Sequence, residues 1–241
     1  MALTPRRPLL ALLASVAIAA CAPSAAPNLG MAPTPDPRVG LKAGIRDAGE
    51  AIWNLDLLSA TPSPAPFASS TNSDLAFSGK YAIQGNYSGY QVWDLSNPRQ
   101  PQIAATLNCP ASQSDVSVYG NLLFVSGEGL EGRLDCAPGG VRDTVSAIRL
   151  RGLRIFDITD IKNPRNVGNV QTCRGSHTHT VLEHPGDKEN VYVYISGSAP
   201  VRSPNELPGC VRATPDQDAN SALFRIEVIK VRSRIRRAPR S

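Results

Sequence analysis

Several kinds of chemistry are missing from this chain. It holds no phosphate-cradling P-loop, no His-Glu-x-x-His, no Gly-x-Ser-x-Gly and no paired carboxylates at a recognisable spacing. Histidine is scarce, with three copies, and aromatic residues make up 5%. The basic excess does not mark a nucleic-acid surface. The formal charge of +5 equals the five arginines of the last ten residues, Arg232, Arg234, Arg236, Arg237 and Arg240. Without them 20 basic residues face 20 acidic ones, and without Arg6 and Arg7 the balance is 18 to 20. A nucleic-acid site needs cations spread over a folded face and aromatics to stack on bases. Neither is present, so nucleic acid is excluded as a partner.

A long apolar run is also lacking. The best, residues 9–20 behind Arg6 and Arg7, is too short to span a bilayer as a mature helix and reads as a secretory signal. It ends Ile18-Ala19-Ala20-Cys21, which resembles the bacterial lipobox, in which the cysteine is lipidated; an ordinary cleavage nearby is the other reading. Ala22 after the cysteine resembles the pattern of Gram-negative lipoproteins sent to the outer membrane. The membrane partner would then be reached through a lipid anchor, and two or more acyl chains suffice for stable attachment. Residues 21–45, rich in Ala, Pro, Ser and Gly, form the expected tether. At the other end, residues 232–241 read as a basic tail, either frame-shifted or touching anionic lipid.

Between these ends the chain repeats. Gly89-Tyr-Gln-Val-Trp-Asp-Leu-Ser-Asn-Pro98 returns as Gly152-Leu-Arg-Ile-Phe-Asp-Ile-Thr-Asp-Ile-Lys-Asn-Pro164. Before each copy stand matched apolar runs starting at Asp74 and Asp115. A repeated four-strand unit predicts an all-β fold of β-propeller blades over 46–231. The first blade is expected at 74–78, 81–85, 90–95 and 102–107, and the second runs from 115 to 170. A third is expected at 179–182, 191–195 and 223–229, its fourth strand missing, with one more strand at 51–58. Three blades predict an open arc rather than a closed ring. Trp93 to Phe156 spans 63 residues and Phe156 to Ile226 spans 70, beyond a blade of about 40–45. The excess falls between the second and third strands, at 127–150 and 198–220.

The repeats resemble the LVIVD-repeat proteins, secreted or surface propellers of bacteria and archaea. The resemblance rests on Val92-Trp-Asp-Leu-Ser-Asn-Pro98, on Ile155-Phe-Asp-Ile-Thr-Asp160 with Asn163-Pro164, and on the 115–121 run. It implies a propeller outside the cytoplasm, longer than this chain, and supplies no catalytic set.

Four cysteines follow Cys21. Cys109 and Cys173 end fourth strands, while Cys136 and Cys210 lie in the inserts. Fourth-to-first and second-to-third connections emerge on one face of a meander, so Cys109–Cys136 and Cys173–Cys210 are the expected disulfides. A four-thiolate zinc site is the rival, although no pair shows the close spacing such sites prefer. On the same face, His177 and His179 enter the third blade. Matched to the other repeats, His179 takes the place of Asp115 and Asp74. These four side chains could gather zinc or copper, or could cap strand ends. His184 belongs to the opposite end. Arg142, Arg174 and Arg202 lie in or beside the top-face loops, as ligand contacts for an anion or as plain surface charges.

The leading expectation is a lipid-anchored envelope module that binds a protein or small ligand at its top face and is not an enzyme. A zinc- or copper-dependent propeller enzyme and a non-functional fragment are the alternatives.

Overall fold

The computed structural model describes residues 30–45 and 47–233. The expected signal, Cys21, the first part of the tether and residues 234–241 of the tail lie outside them. The chain divides into two units, Met1–Asp56 and Leu57–Ser241. Residues 51–58, expected as a strand, form bends and coil and leave Trp53, Leu55 and Leu57 exposed. An apolar stretch becomes a strand only when a sheet edge accepts its backbone groups, and these residues join no sheet.

Among the described residues the second unit is all-β, apart from one 3-10 turn, Phe67–Ser69. Strands β1 (Asn72–Ser78), β2 (Tyr81–Asn86), β3 (Gly89–Asp94) and β4 (Gln102–Asn108) form an antiparallel meander. Strands β5 (Val116–Tyr119), β6 (Leu122–Gly127), β7 (Gly152–Asp157) and β8 (Arg165–Gln171) form a second. The third sheet has three strands, β9 (Thr178–His184), β10 (Asp187–Ser196) and β11 (Glu227–Arg232). Its last strand starts four residues later than the pattern suggests and ends at Arg232 rather than Ile229. The earlier apolar residues, Phe224 and Ile226, belong to the preceding loop and are exposed.

The repetition extends to geometry. Gly89 and Gly152 open equivalent strands at φ +135 and +150, where a Cβ would strike the carbonyl oxygens of Leu107 and Val170. Both sheets carry a bulge at the same place, between Val92 and Trp93 and between Ile155 and Phe156. Asp94 Oδ1 accepts from the N–H and hydroxyl of Ser96, and Asp157 Oδ1 accepts from those of Thr159. These side-chain turns start the connection to the fourth strand. In the third sheet Lys230, paired with Tyr192 as Asp94 pairs with Tyr81, stands at that position. No such turn follows it.

Period-two alternation gives each strand two faces, and successive sheets pack unlike faces together. The leading face of the first sheet (Ala76, Ile83, Tyr90, Val92) meets the trailing face of the second (Val116, Leu123, Val125, Phe156). The leading face of the second (Leu122, Phe124, Leu153, Ile155) meets the trailing face of the third (Val191, Val193, Ile195, Ile229). Each such fully buried side chain contributes about 1.5–3 kcal/mol. The packing leaves second-to-third-strand connections on one side, where the inserts 128–151 and 197–226 gather.

Candidate functional site

The inserts have almost no apolar core of their own. Their largest apolar cluster is Cys173, Cys210 and Ala222, with Val201 and Leu207 against it. Covalent and ionic ties hold them instead. Cys109 is bonded to Cys136 and Cys173 to Cys210, with Cα–Cα separations of 4.7 and 5.3 Å. This is the pairing that the repeat predicts. Two disulfides fit an oxidising compartment outside the cytoplasm. No helix among the described residues is long and apolar enough to cross a membrane.

The second tie is a clamp of buried charge joining one insert to the other. Arg149 from the first insert and Arg202 from the second both bond Glu206, Arg202 Nε to Oε1 at 2.7 Å and Arg149 Nη1 to Oε2. Arg149 also donates to the carbonyl of Leu130, and Arg202 to Oε1 of Gln171. Arg151, also buried, donates to the Pro200 carbonyl at 2.7 Å. Burial, and then the nearby Arg202 charge, push its guanidinium down to about 10. Sequence reasoning singled out none of Arg149, Arg151 and Glu206. The only local signal is the four-residue spacing of Arg202 and Glu206, which a loop reading discounts.

Of the arginines expected to meet ligand, Arg202 is thus buried in the clamp. Arg174 commits its donors to the carbonyls of Ala199, Leu223 and Ser198. Both brace loops. Arg142 is exposed and has no hydrogen bond or ion pair among the described residues.

The two top-face histidines separate. His179 lies one register step from its expected place. Asp74 Oδ2 accepts from the N–H of Val116, and Asp115 Oδ2 accepts from the N–H of His179, so His179 corresponds to Val116. Thr178, opposite Ser196 in β10, holds the place of Asp115, whose carbonyl accepts from Ser126 N–H. A single-residue slip turns a side chain to the other face. The His179 ring is therefore enclosed between the second and third sheets. Its Nδ1 lies 2.8 Å from Ser126 Oγ and 3.1 Å from Asp115 Oδ2, and its Nε2 is buried without a partner. Burial raises the pKa of Asp115, but the His179 bonds and a contact with Asp74 outweigh it, and the carboxyl ends below its ordinary value.

His177 turns outward, with its side chain 44% exposed. Its Nδ1 lies 2.5 Å from Glu128 Oε1 and 3.3 Å from Ser198 Oγ. Serine, histidine and carboxylate suggest a nucleophilic relay, yet such a relay needs serine and carboxylate on opposite ring nitrogens. Here both share one. Ser198 Oγ donates to Glu128 as well, at 3.0 Å. Glu128 is a further residue that the repeat could not reveal, because it lies where an insert begins. Asp74, Asp115, His177 and His179 therefore do not converge as one ligand set. Among the described residues no group of three or more His, Cys, Asp or Glu is placed to hold a metal ion. His184 sits at the far end of β9, as expected, and its Nδ1 accepts from Gly186 N–H.

Beside the clamp is a cleft of about 660 Å³ lined by Thr144, Val201, Ser203, Pro204, Arg212 and Ala213, among others. Its walls are mostly apolar, with hydroxyls of Thr144 and Ser203 and the exposed cation of Arg212. No family model matches the chain, and no curated protein matches it.

Proposed function

We propose that the chain is a cell-envelope binding module: a partial β-propeller of LVIVD-like repeats, held to the outer membrane through lipid on Cys21, that presents its inserts as a recognition platform. The observation that carries this reading is the buried clamp in which Arg149 and Arg202, from different inserts, share Glu206. Loops of this length ordinarily cost ordering entropy when they bind. Two disulfides and the clamp remove most of that cost beforehand, which is how preorganisation raises affinity. They do so around a cleft of the size and apolar lining that small-ligand sites have.

The chemistry of the lining selects the ligand class. Apolar walls with Arg212 beside them suit a molecule or peptide end with an apolar body and one anionic group. Anilinonaphthalene sulfonate has that form and reports binding by fluorescence. Ala213→Trp, which fills the cleft, and Arg212→Ala, which removes the cation, should each weaken its binding about tenfold, a loss of about 1.4 kcal/mol. Unchanged titrations in both variants would remove the cleft from this reading. The anchor is tested separately: Cys21→Ser should abolish incorporation of labelled fatty acid and release the chain from membranes.

A further inference from the structure

We infer that the anionic group received by the cleft is a phosphate monoester, a doubly charged oxyanion, and that it supplies the countercharge the clamp lacks. This rests on the cleft being the ligand site, as proposed above, and adds which anion the site takes.

Charge counting gives the reason. Arg149, Arg151 and Arg202 are all buried. Among the described residues the one carboxylate bonded to any of them is Glu206, also buried. It balances one positive charge and leaves two. The next carboxylate, Glu128, acts on Arg151 only from a distance and is bonded to His177 and Ser198. Counted in full, it still leaves one buried positive charge unmatched. Arg142 and Asp143 are exposed and opposite in sign, and Asp143 meets Arg149 through its carbonyl. The other acceptors of Arg149 and Arg202 are carbonyl oxygens, of Leu130, Thr144, Arg151 and the Gln171 side chain. A neutral carbonyl satisfies a donor without cancelling its charge, and an unmatched buried charge is costly. Arg151 shows the deficit in its bonding as well, since its Nε is buried without a partner.

The cleft lies against this excess. Arg202 is part of its lining, together with Arg212, Thr144 and Ser203. Arg212 alone would balance a carboxylate or a sulfonate. A second negative charge on the ligand meets the unmatched charge of the clamp, which is screened less by protein than it would be by water. The hydrogen bonds of Arg202 stay within the loops; its charge reaches the cleft.

The donors agree with the charge. A phosphate monoester carries about −1.5 to −2 at pH 7 and three acceptor oxygens. The lining offers the guanidinium of Arg212, a group that takes phosphate through two parallel bonds, and the hydroxyls of Thr144 and Ser203. Ser203 Oγ accepts from the N–H of Asn205 at 3.2 Å, which leaves its proton for a ligand. The organic part of the ester meets Val201, Pro204 and Ala213. Thr144 belongs to the first insert, Ser203 and Arg212 to the second, so the bound ester ties the two together.

Calorimetric titration of the full chain carrying Cys21→Ser tests this at about pH 7.5, where the ester is doubly charged. Phenyl phosphate is compared with phenyl sulfate, which has the same shape and one charge fewer. The phosphate should bind about tenfold tighter and should slow hydrogen exchange in both 128–151 and 197–226. Equal affinities would overturn the inference and leave the cleft as a ligand site. Failure of both compounds and of anilinonaphthalene sulfonate to bind would remove the cleft and the inference together. Inorganic phosphate binding as tightly as phenyl phosphate would overturn the ester. Displacement of phenyl phosphate by vesicles of phosphatidic acid would uphold the chemistry and assign it to a lipid headgroup; no displacement assigns it to a soluble ester. Arg151→Gln removes one unmatched charge outside the cleft lining and should lower the preference for phosphate over sulfate about threefold. An unchanged preference in that variant, with native circular dichroism, would also overturn the inference; should the variant not fold, the comparison in the parent chain decides.

Discussion

The sheets and the inserts of this molecule are stabilised by different means. The two sheet junctions are built from large apolar side chains on strands that alternate in period two. The inserts on the same chain are fixed by two disulfides, three buried arginines and one buried glutamate. Short strands with β-branched and aromatic residues can close a core without covalent help. Loops rich in Gly, Pro and charge cannot, because they have too little apolar surface to offset their ordering entropy. A rigid loop platform therefore needs ties of another kind, and its polar groups are burdened with bracing rather than free for ligand. Arg174 and Arg202 illustrate that: both look like ligand contacts in sequence, and both are used up within the loops.

The contrast can be broken first at its apolar side. Phe124→Ala removes a side chain at the centre of the junction between the second and third sheets and should cost about 3–5 kcal/mol. For a chain of this size that lowers the melting temperature by about 10 °C, read by circular dichroism. A shift within error would mean that the sheets do not depend on this junction. Next comes the covalent side. Cys173→Ser together with Cys210→Ser opens a loop of sequence separation 37, worth about 3.8 kcal/mol in the chain-entropy account. Hydrogen exchange should quicken across 197–226 and change little in β5–β8. Equal loss of protection in both regions would erase the distinction between them. Glu206→Gln leaves two buried guanidinium groups without a countercharge. Removing one partner of a buried pair is strongly destabilising, here about 3 kcal/mol because glutamine keeps one acceptor oxygen. Both inserts should loosen together, since the clamp joins them.

Legibility followed the same division. The strands of the first two sheets, their tight turns and both disulfides could be read from the repeat, because apolar alternation and turn residues act locally. Where the repeat weakens, so does the reading. The pattern places the third sheet's last strand too early because Phe224 and Ile226 are as apolar as Val228 and Ile229, and only pairing with β10 separates them. His179 is matched one residue out because the extra residues between Asp187 and Val191 shift the β9–β10 register and blur the alignment. That single step changes a ring expected to face the axis into one enclosed between sheets. Glu128, Arg149, Arg151 and Glu206 act across dozens of residues of loop, with no period to mark them. Long-range charge pairing leaves no local trace in a sequence.

The smallest expected effect is the acid sensitivity that the aspartates ending β3 and β7 confer on the first two sheets. The carboxyls of Asp94 and Asp157 are each held down to about 2. For Asp94 the main cause is the Ser96 hydroxyl, followed by Lys80; for Asp157 it is the Thr159 hydroxyl, with Arg165 assisting. An unfolded aspartate titrates near 3.9. As acid is added the unfolded chain takes up protons first, so the stability these groups contribute is complete above about pH 4 and is lost as the pH falls through about 2. The third sheet has Lys230 at the equivalent position, and its Nζ instead meets Asp187 at 3.0 Å. Asp94→Asn with Asp157→Asn keeps an acceptor for the turn and removes the charge. Urea midpoints of this double variant should lie slightly below the parent's at neutral pH and fall less steeply on acidification. An identical fall in both proteins would assign the acid response elsewhere, with Asp187 the first group to test, since Asn190, Tyr192 and Lys230 also hold its carboxyl far below the ordinary range.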